Sequence, residues 1–435
     1  MAKKDIDIIS LGCSKNLVDT EWIMGRLDAA GFTCHHDPQN PVSPVMIINT
    51  CGFIGDAKEE SINTILAQSL RKKSKTNRLE KLYVMGCLSQ RYMPELQNEI
   101  PEVDGWFGKF DFQNIIIALT GEQPLCPDAV QRKLTTPKHF AYLKISEGCN
   151  RMCSYCAIPL ITGHHKSKPM GQLLAEARWL KDQGVKEINV IAQDLSSYGL
   201  DTEHKHLLPE LIDRLAQIEG IEWIRLHYAY PTDFPDELLD VIAKHPNVCK
   251  YLDIALQHCT DHMLSLMRRH ITQEEQDNLI KRIRERVPGI CLRTTLMVGH
   301  PGETEDDFTA LKEWTKRMRF DRMGAFAYSD EDGTYASLHY KDDIPEPTKQ
   351  RRLAELMDIQ QQISAELMAA KVGQTFRVII DKKEGEYYVG RTEYDSPEVD
   401  CEVLVPASEQ DLRIGNFYQV TITKAEEFDL YGKIC

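Results

Sequence analysis

What this 435-residue sequence lacks narrows its function before any motif is read. No apolar run approaches the roughly 18 to 20 residues that a membrane-spanning helix needs. The start, MAKKDIDIISLGC, is basic, but its apolar stretch is short and reaches a cysteine at once, so it reads as a strand rather than a secretory signal. The expectation is a cytoplasmic protein. Positive charge is also scarce: 52 Lys and Arg stand against 66 Asp and Glu, a net charge of -14. That balance excludes a protein that holds nucleic acid through its overall field and suits a basic protein partner. The 13 cysteines are odd in number and scattered through a long chain without an export signal, which argues against a disulfide framework. Metal or redox chemistry is the better use for them. With 42% hydrophobic and 27% charged residues the chain is globular, and its length suits about three domains.

The organisation follows from hydrophobic periodicity. In the first 120 residues an apolar run ending in a cysteine occurs three times: IDIISLGC at Cys13, VMIINTC at Cys51 and KLYVMGC at Cys87. Helix-like sequence follows the first two runs, so the alternation predicts a parallel sheet. Ligands bind at the carboxyl edge of such sheets, where the three thiols would meet. Singly, each cysteine reads as a small buried hydrophobe; the shared position argues for a common task. The proline-bearing stretch GEQPLCPDAVQRKLTTPK reads as a linker. Six apolar runs follow (AYLKI, EINVIA, EWIRLHY, YLDIAL, CLRTTLMVG and RMGAFAYS), separated by amphipathic helical stretches, which predicts a partial or complete parallel barrel, (β/α)6 and a partial TIM barrel by the resemblance given below. After one long helix the pattern alternates strictly (TFRVIID, YYVGRTE, EVLV, FYQVTIT), predicting a small antiparallel, OB-like β-barrel. The class is α/β, with domains over 1–122, 139–368 and 369–435 and a linker over 123–138. The basic run RKKSKTNRLEK at 71–81 is expected on a helix as a solvated face.

The segment EGCNRMCSYC places Cys149, Cys153 and Cys156 within eight positions. Crowded thiolates select zinc, copper(I) or an iron-sulfur cluster. A structural zinc is closed by four ligands, and the next cysteine, Cys249, is more than ninety residues away. His164 and His165 are the nearby alternatives, but on the polar loop GHHKSKP they are expected to be solvated. A cubane held by three thiolates instead leaves one iron open to a ligand that is not protein.

This segment, with Tyr155 just before its last cysteine, resembles the signature of the radical S-adenosylmethionine (SAM) superfamily. The resemblance implies that SAM chelates the open iron and is cleaved by one electron to methionine and a 5'-deoxyadenosyl radical. IAQDLSSYG, YLDIALQHCTDHMLSLMRR, TLMVGHPGETEDDF, FAYSDEDGTYA and LGCSKNLVDTE, together with the C-terminal barrel, are similar to the methylthiotransferases. That resemblance implies a TRAM domain at the C-terminus and two 4Fe-4S clusters, one on Cys149, Cys153 and Cys156 in the catalytic centre and an auxiliary one on Cys13, Cys51 and Cys87. It also implies that Tyr155, Gln193, Gln257, Gly299 and Glu303 line the SAM pocket. Read without it, Gly299 and Gly302 would serve a strand-end turn, Glu303 a helix cap and Gln257 the end of a buried strand. The sequence departs from the family after Cys156: where Arg-Gly and Ser-Arg pairs are expected, Thr162 precedes Gly163 and Lys168 follows Ser167. Lysine does not reproduce a bidentate arginine contact.

The family divides between enzymes that modify a tRNA adenosine and enzymes that modify an aspartate of a small-subunit ribosomal protein. LGCSKNLVDTE resembles the protein-modifying branch, in which the tRNA branch's Cys-Gln-Met-Asn is replaced. From Lys371 onward, eight Lys and Arg face thirteen Asp and Glu, a poor balance for phosphate. The acids of YDSPEVDCE are expected to face a basic ribosomal protein and steer it. The resemblance thus implies methylthiolation of the β-carbon of an aspartate in the twelfth small-subunit ribosomal protein, with flavodoxin or ferredoxin as electron donor and a monomeric enzyme. The alternatives are the same chemistry on tRNA and a noncatalytic iron-sulfur sensor.

Overall fold

The computed structural model describes residues 4–74, 78–121, 130–408 and 411–435. It divides into two compact units. The first holds Met1–Thr136 with Glu147–Asn150 and Ala157–His164; the second holds Pro137–Ser146, Arg151–Cys156 and His165–Cys435.

In the first unit β1 (Lys4–Ser10), β2 (Phe32–His36), β3 (Val45–Thr50), β4 (Lys81–Gly86) and β5 (Gly105–Trp106) form a parallel sheet in the order β2-β1-β3-β4-β5. The near-continuous apolar runs of β3 and β4 suit a sheet covered on both faces. Ile6, Ile8, Ile47 and Met85 pack with Ile23, Met24, Leu27 and Ile115 of the helices Ser14–Ala29 and Phe112–Thr120. Met46, Ile48, Leu82 and Val84 pack with Ile65, Leu88 and Leu96 of the helices Gly55–Lys73 and Cys87–Glu99. The strand order reverses between β1 and β3, so the switch-point crevice opens beyond their carboxyl ends. Part of the expected linker, 122–129, lies outside the described residues. The rest docks on the first helix: Arg132 pairs with the fully buried Glu21, and the Thr135 amide donates to the same carboxylate at 2.7 Å. The basic run is not one helix. The helix stops at Lys73 and Lys81 opens β4, while 75–77 lie outside the described residues. Lys72 and Lys81 both pair with Asp104, and Lys81 stays exposed to solvent.

In the second unit β6 (Phe140–Lys144), β9 (Glu187–Ile191), β10 (Trp223–Ala229), β11 (Val248–Ile254), β12 (Cys291–Val298) and β13 (Arg322–Ala327) form an open parallel sheet in chain order. β7 (Ser146–Glu147) and β8 (Lys166–Ser167) pair separately. The outer helices are punctuated by local chemistry: Thr272 with Glu275 and Thr304 with Asp307 form capping boxes that start Gln273–Arg286 and Glu305–Met318. The long helix Glu346–Ala369 leads to β14 (Thr375–Glu384), β15 (Tyr387–Thr392), β16 (Val403–Pro406), β17 (Phe417–Ala425) and β18 (Leu430–Ile434), a closed barrel in the order β14-β15-β16-β18-β17. It is antiparallel except between β16 and β18. A ring of five strands cannot alternate direction at every contact, so one parallel pair is the geometric cost of closure.

The C-terminal barrel is joined to the half barrel by buried charge. Glu187 accepts from Arg225 (3.0 Å) and from Arg391 (2.8 Å), and Arg391 continues to Asp381 (2.6 Å). Arg322 pairs with Asp395. Trp223, Cys249, Tyr251, Cys291 and Ile379 close an apolar cluster around these ions.

Candidate metal centres

Cys13, Cys51 and Cys87 stand at the carboxyl ends of β1, β3 and β4, as the periodicity predicts. Cys13 caps the helix Ser14–Ala29, Cys51 exchanges hydrogen bonds with Ser61 through its amide (3.0 Å) and carbonyl (2.9 Å), and Cys87 opens the helix Cys87–Glu99. Two glycines permit this crowding. Gly12 has φ +91° and a Cβ there would lie 2.7 Å from the Cys51 sulfur; Gly86 has φ +103° and a Cβ would lie 2.4 Å from the Thr50 carbonyl. Asn16 ties the loops together, donating to the carbonyls of Leu11 (3.0 Å) and Thr50 (2.9 Å), while its Oδ1 lies 3.8 Å from the Cys87 sulfur.

A cation accompanies the thiols. Lys109, 2% exposed, pairs with buried Asp19 at 3.0 Å. Burial disfavours its charge, but Asp19, Glu147, Cys87 and Cys13 outweigh that and hold its pKa above the ordinary lysine value. Crowding by the protein raises the pKa of solvent-accessible Cys13, yet Lys15, the Asn16 amide and Lys109 bring it below the usual thiol value. Burial pushes the Cys87 thiol up to about 12; Lys109 opposes this, and Cys13 and Cys51 add to it. The three sulfurs therefore interact electrostatically. Asn16 lies within LGCSKNLVDTE, whereas Lys109 is marked by no motif and lies ninety positions from the acid it meets.

Cys153 and Cys156 follow β6 in the second unit, and Cys149, on the same eight-residue stretch, is counted with the first. The Cys149 amide donates to the Gly163 carbonyl at 3.1 Å. The Cys153 sulfur is met by Arg269 Nη1 at 3.3 Å and the Tyr230 hydroxyl at 3.5 Å. Arg269 Nη1 also donates to the Tyr155 hydroxyl at 3.3 Å, and Ser154 bonds His300 at 3.0 Å. Among the described residues no three His, Cys, Asp or Glu side chains converge on a single ion. Two all-sulfur triplets, one beside Lys109 and one containing a thiol under Arg269, instead suit clusters, whose ligands stand around a cube and are thiolates.

The other expected SAM residues lie at strand ends. Gln193 follows β9. Gln257 follows β11 with φ +72°, held there because its amide donates to Thr295 (2.9 Å) and its carbonyl accepts from Met297 (2.8 Å). Gly299 follows β12 with φ +73°, and a Cβ there would lie 2.4 Å from Lys349. Glu303 is fully buried and accepts from the Gly299 amide (2.6 Å) and Arg352 (2.6 Å), with His258 3.3 Å away. It thus anchors the turn that presents Gly299. Where arginines are missing after Cys156, Thr162 donates to Ile158 (2.9 Å), and Ser167 binds Asp201 through its amide (2.9 Å) and hydroxyl (2.6 Å). His164 is exposed beside Asn150, but His165 is buried against Ser167, so the expectation that both are solvated fails for His165.

The acids of YDSPEVDCE are also placed otherwise than expected. Asp395 binds Arg322, Asp400 accepts from Tyr251 (2.8 Å) and from Arg293 (3.3 Å), and Glu398, though exposed, accepts from Tyr142 (3.0 Å). Asp395 and Asp400 thus serve the half barrel inside this unit, whereas Glu398 is open to solvent. A charge count cannot tell which way an acid points.

Comparison with known proteins places these features in families. Residues 143–315 match the radical SAM superfamily, 372–435 the TRAM domain, and 5–108 the family described as uncharacterized protein family UPF0004. The chain is 60% identical over 436 residues to the ribosomal protein uS12 methylthiotransferase RimO of Bacteroides thetaiotaomicron, covering 100% of this chain and 99% of that protein. It is 56% identical over 434 residues to the protein of the same name from Parabacteroides distasonis, covering 100% of both. Among solved structures, the radical SAM methyltransferase TsrM of Kitasatospora setae, with cobalamin and a 4Fe-4S cluster bound, superposes with a TM-score of 0.58 at 14% identity over 77% of each chain. The cobalamin-dependent SAM radical enzyme OxsB superposes at 0.52 with 12% identity, over 83% of this chain and 56% of that one. These two likenesses speak for the fold.

Proposed function

The chain belongs to the ribosomal protein uS12 methylthiotransferase RimO family, and from that premise we propose that it replaces one hydrogen on the β-carbon of a uS12 aspartate with a methylthio group. It is a radical SAM enzyme that uses 4Fe-4S clusters and SAM. The observation that carries the finer reading is the gathering of Cys13, Cys51 and Cys87 beside Lys109 at one sheet edge. A generator of radicals alone needs only the Cys149, Cys153 and Cys156 loop; a second thiol triplet, at the edge of the β1–β5 sheet, calls for a second task, the handling of sulfur.

When bound, the clusters and SAM supply the electron, the hydrogen-abstracting radical and the methylated sulfur. The chain supplies position and charge. Cys149, Cys153 and Cys156 hold the cluster that leaves an iron for SAM, and Cys13, Cys51 and Cys87 hold the auxiliary one. Tyr155, Gln193, Gln257 and the Gly299 turn would line the SAM pocket, with Glu303 locking that turn. Lys109 offsets the negative charge that three thiolates bring to the auxiliary site, and Asn16 keeps their loops in register. Domain limits at 122, 138 and 368 follow the change of pattern. No helix among the described residues is long and apolar enough to cross a membrane; a cytoplasmic monomer reduced by a flavodoxin or ferredoxin fits a ribosomal substrate.

Anaerobic reconstitution tests this reading. Two cubanes require about eight irons per chain, and Cys51→Ala and Cys153→Ala should each lose about half. Full iron content in Cys51→Ala would remove the auxiliary site.

A further inference from the structure

Arg269 is a buried cation in search of an anion. It is 2% exposed, and among the described residues no carboxylate pairs with it. Its Nη1 reaches the Cys153 sulfur and the Tyr155 hydroxyl, each at 3.3 Å, and its Nη2 donates to the Ala255 carbonyl. Its Nε is buried without a partner. The guanidinium also lies over the Tyr230 ring, 4.0 Å from its centroid, and the Tyr230 hydroxyl donates back to the Arg269 carbonyl at 3.2 Å. A phenol, a cysteine side chain and a ring face offer no carboxylate to a buried charge, which ordinarily demands an anionic partner.

The backbone is bent to aim it. Arg268 (φ +55°) and His270 (φ +53°) both adopt the left-handed conformation on either side of Arg269. Two such residues flanking a single position are strained and persist only where surrounding contacts over-determine them. Thr232 adds a hydrogen bond to the Arg269 carbonyl at 3.0 Å, so the segment is pinned at its centre.

We propose that Arg269 is a positioning residue for the SAM-binding cluster: it is the fixed counter-ion and N–H···S donor of the Cys153 thiolate, and it raises the reduction potential of that cluster. The inference rests on the assignment of Cys149, Cys153 and Cys156 as cluster ligands. A ligated cysteine is a thiolate, which supplies the anion that Arg269 lacks. Reduction adds one more negative charge, and a cation with hydrogen bonds to the sulfur favours the reduced form, the lever by which proteins tune such clusters. Arg269 closes the stretch YLDIALQHCTDHMLSLMRR, but it lies 116 positions from Cys153, so the sequence does not show that the two meet.

The test compares Arg269→Met and Arg269→Lys in the full-length chain, with Cys13, Cys51 and Cys87 replaced by Ala so that one cluster is read. Potentiometric titration followed by electron paramagnetic resonance should show, for Arg269→Met with iron retained, a reduced-to-oxidised ratio about tenfold lower at any fixed potential, a fall of about 59 mV for one electron. Arg269→Lys, which keeps charge and one donor, should fall between. The metal-free Arg269→Met protein should unfold at the same temperature as its parent or higher, because there the guanidinium has no anion to serve. An unmoved midpoint, or a metal-free variant that is plainly less stable, overturns the proposal in favour of a packing role. Loss of iron in Arg269→Met with retention in Arg269→Lys supports it; loss in both overturns it. Absence of iron in the parent itself would instead strike the ligand assignment.

Discussion

Glu187→Gln probes the joint between the half barrel and the C-terminal barrel. Glu187 opens β9 with its side chain fully buried. One oxygen accepts from Arg225 Nε (3.0 Å) and Arg391 Nη1 (3.2 Å), and the other from Arg391 Nη2 (2.8 Å). The amide keeps the shape but removes the charge and turns an NH2 group toward one of two buried guanidiniums. Arg391 retains Asp381, whereas Arg225 keeps only the backbone carbonyls of Glu393 and Thr392. Removing one partner from such a pair costs about 3–5 kcal/mol, and urea unfolding at pH 7 measures it. The pH dependence has a definite sign. Burial raises the Glu187 pKa, but Arg391 and Arg225 outweigh it and hold it below the ordinary carboxylate value. Its contribution is therefore fully present above the unfolded pKa of about 4.3 and is lost as pH falls through the lower folded value. The gap between parent and variant should be constant near neutrality and shrink in acid. A gap under about 1 kcal/mol at pH 7, or one that widens as pH falls, would refute the reasoning.

Two further outcomes follow from the thiol sites. Cys153→Ala should abolish SAM cleavage, while Cys87→Ala should leave cleavage to 5'-deoxyadenosine intact and stop methylthiolation; equal loss of cleavage in two folded variants, read by chromatography of the nucleoside, would contradict this division. Gly86→Ala should destabilise the protein by about 1–3 kcal/mol and lower iron uptake at the auxiliary site, since its Cβ would stand 2.4 Å from the Thr50 carbonyl; iron analysis of the purified variant checks it.

Elements with a strong period were legible in the chain. β3 and β4 read as buried parallel strands because both faces are covered, and the three strand-end cysteines could be placed together from that pattern alone. The eight-residue thiol segment and the GHPGE turn were equally plain, since each compresses its chemistry into neighbouring positions. What escaped notice is built from distant residues of ordinary type. Lys109 meets Asp19 through the fold, and nothing local distinguishes it from a surface cation; Arg269 closes the stretch YLDIALQHCTDHMLSLMRR, but nothing in that stretch shows that it meets Cys153. The acids of YDSPEVDCE misled for the converse reason: Asp395 and Asp400 look like a solvated run but bind Arg322, Arg293 and Tyr251. The helix expected over 71–81 ended early because β4 begins within that run.

The most direct test of the account is the mass of uS12 after incubation with the anaerobically reconstituted protein, SAM and a low-potential reductant, with bulk tRNA treated in parallel. The account predicts uS12 carrying one methylthio group in place of a hydrogen on an aspartate, and unaltered tRNA. Unmodified uS12 alongside methylthiolated tRNA, or neither modified while SAM is cleaved, would contradict it.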